Sequence, residues 1–110
     1  MPTREFLGSL EHIVLLAVLR LGDNAYGVTV RREIADRTER DISLGAAYST
    51  LERLERKGYV TSKTGEPTAE RGGRAKRYFE ITPAGVAAIR VSQAAISRMA
   101  NGLKRAWSSS

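Results

Sequence analysis

At 110 residues the chain has room for one domain with a modest core, and long terminal helices would push it to share that core with a second copy. Eighteen Lys and Arg against twelve Asp and Glu leave a formal net charge of +6, which favours a polyanionic partner. The absence of cysteine excludes disulfides, Cys-ligated zinc and thiol catalysis, and a single histidine, His12, cannot form a metal site alone. No metal, cofactor or enzymatic activity is expected. The longest apolar run, Ile13 to Leu19, falls short of the roughly 18 residues of a membrane span, and Glu5 and Glu11 around it fit a signal peptide poorly. No membrane partner is expected, and the cytoplasm is the expected location.

In chain order, Ser9 is the expected cap of a first helix from Leu10 to about Leu21, ended by Gly22. Leu10, Ile13, Val14, Leu16, Ala17, Val18 and Leu21 cover more than one face, so this helix is expected to be buried on two sides, one of them offered to a second subunit. Gly22, Asp23 and Asn24 form a turn, and Tyr26 to Arg37 forms a second helix. Its β-branched Val28, Val30 and Ile34 make it dependent on packing. Ser43 is the expected cap of a third helix, whose stripe Leu44, Ala47, Leu51 and Leu54 ends at Arg56 and Lys57 before Gly58, where a left-handed residue is needed. Tyr59 to Ser62 favours a strand, Gly65 to Gly73 a turn containing Pro67, and Tyr78, Phe79 and Ile81 the returning strand. Thr82 and Pro83, a hydroxyl cap and a first-turn proline, start a last helix to about Trp107, about 37 Å long. Its stripe is Val86, Ile89, Ile96, Met99, Leu103 and Trp107. The expected fold class is mainly α with a small β-hairpin, a winged helix-turn-helix plus a long C-terminal helix. The boundaries are 1–81 for the winged body, 82–107 for the last helix and 108–110 for a frayed tail.

Two features carry chemistry. The third helix exposes small residues near its start, Gly45, Ala46 and Ser49, with Tyr48 and Thr50 close by, and its charged residues Glu52, Arg53, Arg56 and Lys57 come later. A helix that enters a DNA groove by its N-terminal part needs that face clear of acids, and its dipole there favours phosphate. From the helix alone, an ordinary amphipathic element with a small first turn is an equally good reading. Glu52 and Glu55 read as a solvated face, with Glu52 placed to pair with Arg56 one turn on. The hairpin then adds Lys63, Arg71, Arg74, Lys76 and Arg77 beside Gly72 and Gly73, opposed by Glu66 and Glu70. Glycines let backbone approach a sugar-phosphate ridge, and arginine suits phosphate or a narrow minor groove.

Taken together, these pieces resemble a PadR-family transcriptional regulator of the short type, over nearly the whole chain. The residues that carry the likeness are Ala47 to Leu51, Leu54, Glu55, Gly58 to Val60, Gly73, Arg74, Lys76 to Phe79, Ile81, Thr82 and Gly85, with Tyr26 and Gly27 opening the second helix. Ala47 and Ser49 stand where the family often has a larger apolar residue and a proline, a difference that bears on the operator and not on the fold. The resemblance implies a homodimeric repressor with its third helix in the major groove of a palindromic double-stranded operator, its wing on the DNA backbone and its last helix against the partner subunit. A small-molecule effector of unassigned identity is compatible with such a regulator. The DNA-contacting set is then Tyr26, Ser43, Gly45, Ala46, Tyr48, Ser49, Arg53, Lys63, Arg71, Gly73, Arg74 and Lys76. The dimerisation set is Leu10, Ile13, Ile89, Ile96, Met99, Leu103 and Trp107. The alternative from another class is a winged-helix protein-interaction module, which would be indifferent to DNA.

Overall fold

The computed structural model describes residues 6–65, 76–103 and 106. Its elements follow in the order α1 (Ser9–Leu21), a single 3-10 turn (Gly22–Asn24), α2 (Gly27–Thr38), α3 (Leu44–Arg56), β1 (Val60–Thr64), β2 (Arg77–Ile81) and α4 (Pro83–Ala100). The two strands pair antiparallel with Val60 opposite Ile81 and Thr64 opposite Arg77. Val14, Leu15 and Val18 of α1 are fully buried, and around them lie Val30 and Ile34 of α2, Leu51 and Leu54 of α3, Val60, Phe79 and Ile89. Both faces of α1 are thus largely occupied within the chain. Its two-sided apolar pattern is explained by being central to the body, with only Leu19 among its large apolar residues exposed.

Local chemistry sets most boundaries. Ser43 caps α3 by accepting the Ala46 N–H at 3.0 Å, and Gly58 takes the left-handed φ of +83° just beyond its end. Gly22, at φ +62°, closes α1. The cap of α1 is Gly8 and not Ser9: the Glu11 carboxylate accepts the Gly8 N–H at 2.9 Å, half of a capping box, and Ser9 becomes the first helical residue. In the same manner Thr29 Oγ1 accepts the Tyr26 N–H at 2.9 Å, so α2 begins at Gly27 with Tyr26 as its cap. Arg31 on α2 donates to the Ile42 carbonyl at 2.7 Å and pairs with Asp41 at 3.3 Å, which holds the turn into α3.

The last helix is shorter than its stripe suggests. It stops at Ala100, where Asn101 turns extended and Gly102 adopts φ +87°, so its 18 residues span about 27 Å. Leu103 lies beyond the helix, and Trp107 and the tail 108–110 lie outside the described residues. Ile89, expected on the face offered to a partner, is only 7% exposed and belongs to the chain's own core. Leu44, at the head of the α3 stripe, is 36% exposed because the first turn of α3 projects past the body. Leu7 N–H donates to Ser92 Oγ at 3.2 Å, and His12 Nε2 lies 3.2 Å from Gln93 Oε1, so α4 is tied to the start of α1. No helix among the described residues is long and apolar enough to cross a membrane.

The start of α4 is fixed by close approach. Thr82 Oγ1 accepts the Gly85 N–H at 3.0 Å and donates to the Gly58 carbonyl at 2.7 Å, while Thr82 N–H donates to the Tyr59 carbonyl at 3.0 Å. A Cβ on Gly85 would lie 2.3 Å from that Tyr59 oxygen, which is backbone and cannot step aside. Gly85→Ala is therefore expected to destabilise the fold by about 1–3 kcal/mol, read as a lowered midpoint in thermal unfolding. An unchanged midpoint would show that the contact is slack.

Candidate nucleic-acid interface

The first two turns of α3 carry no charged side chain, and Ser43, Leu44, Gly45 and Ser49 are exposed there, with Ala46 half-buried. The Ser49 hydroxyl donates to the Ala46 carbonyl at 3.2 Å, which aims its lone pairs outward. Thr50 departs from this face: it is buried and donates to the same carbonyl at 2.8 Å. Tyr48 is half-buried because its ring lies on the start of α2. A Cβ on Gly27 would meet Tyr48 Cζ at 2.5 Å, so the glycine makes room for the ring.

From Tyr48 the surface continues through Tyr26 to the hairpin. The Tyr26 ring meets Tyr78 edge-on with centroids 5.3 Å apart, and Lys76 Nζ sits 4.7 Å above the Tyr26 ring and 3.4 Å from its hydroxyl. Lys63 stands directly opposite Tyr78 in the strand pairing and is exposed on the same face. This face also forms one wall of an open groove of about 610 Å³, whose other wall is Val18, Leu19, Gly22 and Asp23. Phe79 N–H donates to the Ala25 carbonyl at 2.8 Å, which fixes β2 to the turn before α2 and so fixes Lys76 relative to Tyr26. Lys76 is thus brought to Tyr26 at the start of α2, where Gly27 also seats Tyr48 of α3, whereas Lys63 lies on the hairpin face opposite to the one that Arg77 packs on α3. Arg71, Gly73 and Arg74 lie outside the described residues.

Two clusters were not foreseen. Arg77 reaches from β2 to Glu55 and Glu52 of α3 and to Ser62 Oγ at 3.2 Å, with its guanidinium 5.0 Å above the Phe79 ring. The Glu52 pairing expected with Arg56 thus goes instead to Arg77, at 3.5 Å, across the interface between hairpin and helix. Arg53, expected to face DNA, is partly exposed but lies 3.8 Å from Glu11, and Lys57 Nζ is 3.0 Å from the same carboxylate oxygen. The only sequence signal for Glu11 is its place three residues after Gly8. Burial pushes the Glu11 carboxyl up, but the Gly8 N–H, Lys57 and Arg53 together outweigh it and hold the group below its ordinary value. No group of three His, Asp or Glu side chains among the described residues is placed to hold a metal.

A capped helix following a short turn, with an antiparallel hairpin directly after it and packed against its side, defines a winged helix-turn-helix. The family model for the transcriptional regulator PadR-like family matches residues 15–91, and the chain belongs to that family. Among solved structures, a transcriptional regulator from Clostridium thermocellum superposes with a TM-score of 0.72 at 24% identity, covering 87% of this chain and 90% of that one. A PadR family regulator from Clostridium difficile gives 0.68 at 19% identity, with 90% and 98% covered. Bacillus subtilis PadR in complex with operator DNA gives 0.63 at 18% identity, with 76% of this chain and 46% of that chain covered. At these identities the likeness is one of fold. No curated protein is similar enough in sequence to be matched.

The Glu11 cluster makes stability depend on pH in a defined direction. Because its pKa is lowered on folding, its contribution is present above the ordinary glutamate value and is lost as pH falls through the lower folded value. Glu11→Gln is expected to cost about 1–2 kcal/mol at neutral pH, and the gap in melting midpoint to wild type should close below about pH 4. A gap that persisted in acid would mean that the carboxylate charge is not what stabilises.

Proposed function

We propose that this PadR-family regulator is a repressor that binds a palindromic double-stranded operator as a homodimer. The observation that carries the reading is the exposed, acid-free start of α3, capped by Ser43 and presenting Ser49, next to a hairpin that exposes Lys76 at Tyr26 and Lys63 on its outer face. The operator complex of Bacillus subtilis PadR, which shares the fold, supports it. In this reading α3 enters the major groove, Gly45, Ala46 and Ser49 face base edges, Tyr26 and Tyr48 line the approach, and Lys63, Lys76 and the segment with Arg71, Gly73 and Arg74 meet the sugar-phosphate backbone. Release by a small-molecule effector belongs to the same proposal, and a metabolite screen for loss of the bound complex tests that part.

Homodimerisation is supported by apolar surface left uncovered on one end of the molecule. Ile96 and Met99 on α4 are 61% and 79% exposed, and Phe6 and Leu103 are also exposed. Leu10 and Ile13 are half-buried against the body and can contribute only their outer edges. One α3 reads too few base pairs to select a single operator, so two copies must be held about 34 Å apart.

The test is binding of the duplex upstream of the protein's own gene against a scrambled duplex over a range of salt. Operator binding should discriminate and weaken steeply with salt, whereas a protein-interaction module would ignore both duplexes. Lys76→Ala should weaken binding to both duplexes and reduce the salt slope by about one per subunit. Ser49→Ala should leave scrambled-duplex affinity unchanged and flatten the preference at one or two positions of each half-site, by about 1–3 kcal/mol. An unaltered profile over a library of operator variants would place the reading surface elsewhere. For the dimer, Ile96→Asp with Met99→Asp should give a folded monomer by sedimentation and circular dichroism that no longer forms the specific complex. A doubly substituted chain that stayed dimeric would refute the assignment of α4 to the interface.

A further inference from the structure

Arg53 follows Ala46 and Ser49 on one face of α3, at the seven- and four-residue spacings that stack side chains along a helix. It is the first cation that a duplex lying along that face would meet. Yet its guanidinium is turned to Glu11 at 3.8 Å, and Lys57, one turn further on, holds the same oxygen at 3.0 Å. Glu11 is only 6% exposed and its other oxygen is fixed by the Gly8 N–H, so the carboxylate cannot swing out to water and salt has poor access to it. Arg53 and Lys57 are each partly exposed, with one side on the carboxylate and one towards solvent. The fixed carboxylate offsets one unit of the positive charge that Arg53 and Lys57 bring to this place.

A carboxylate oxygen offers a lysine what a phosphate oxygen would offer, an anionic acceptor at hydrogen-bond distance, and at 3.8 Å it attracts Arg53 as an ion pair without a hydrogen bond. Resting on the DNA-binding reading of α3, we infer that Glu11 limits affinity: it stands in for a backbone phosphate and holds Arg53 and Lys57 away from DNA of any sequence. Because sequence-independent attraction follows from the number of cations that displace condensed counterions, removing one such charge from display lowers binding to every duplex by a similar factor. Glu11 touches no base, so the ratio between operator and scrambled duplex does not depend on it.

The experiment compares wild type and Glu11→Gln on operator and scrambled duplexes across a salt series. Glutamine keeps an acceptor for the Gly8 N–H and removes the charge. The expected result is an affinity for both duplexes raised at least about threefold, with the slope of log affinity against log salt steeper by about one per subunit and the operator preference unchanged. A merely structural role would lower affinity together with stability. Adding Arg53→Gln should abolish more of the slope in the Glu11→Gln background than in wild type, and equal losses in the two backgrounds would overturn the inference. If Glu11→Gln does not fold, the carboxyl carbon resonance of Glu11 in wild type decides: it should stay in place when scrambled duplex saturates the protein, and its displacement would show that DNA takes the cations away. Wild type that binds no duplex sinks the DNA reading and this inference with it. Wild type that binds, with the same slope in Glu11→Gln, sinks this inference alone.

Discussion

Two adjacent carbonyls, those of Gly58 and Tyr59, hold the hairpin and the last helix to α3. Both are reached by Thr82, through its hydroxyl and its N–H, so one residue closes the loop that begins at the end of α3 and returns at the start of α4. The left-handed turn at Gly58 aims these carbonyls outward, and the bare Cα of Gly85 lets the α4 backbone come down on them. If that junction loosened, β2 would lose its fixed end and would be held to the body by the Phe79 to Ala25 bond and its pairing with β1. The hairpin is therefore anchored at both its base, through Thr82, and its middle, through Phe79.

Charges in this chain divide between those that build and those on display. Arg77 is committed to Glu55, Glu52 and Ser62 and lies over Phe79, so it pins the hairpin to the side of α3. Arg31 and Asp41 do the same for the turn between α2 and α3. Exposed pairs of this kind contribute little stability each, about 0–1 kcal/mol, and what they supply is orientation. These pairs already cancel within the net charge of +6, so the positive excess of the chain resides in residues outside them.

The features legible in the sequence were those whose chemistry is local. Ser43, Gly58, Gly22 and the Thr82–Pro83 pair each act on neighbours within four residues, and their types announce that action. Apart from the cap of α1, which fell to Gly8 through Glu11 and not to Ser9, what escaped depends on distant partners. Whether Ile89 faces a second subunit or the chain's own core is decided by where α1 lies, and whether Glu52 pairs with Arg56 or Arg77 by how the hairpin docks. The same holds for Arg53, which helical spacing alone places on the open face and Glu11 partly withdraws from it. The short α4 is a different case, since Asn101 and Gly102 mark its end locally but the apolar stripe runs on past them to Leu103. Periodicity outlasted the helix.

The placement of Lys76 has an entropic consequence. A lysine on an open loop samples many rotamers, and fixing it on an anion forfeits up to about 2 kcal/mol of that freedom. Here the ammonium is already positioned over the Tyr26 ring and beside its hydroxyl, and that ring is itself steadied by Tyr78. Part of that ordering is met when the chain folds, so an anion that arrives at this surface loses less affinity in stilling the cation. The tyrosine pair acts as a rest for a charge that would otherwise be diffuse.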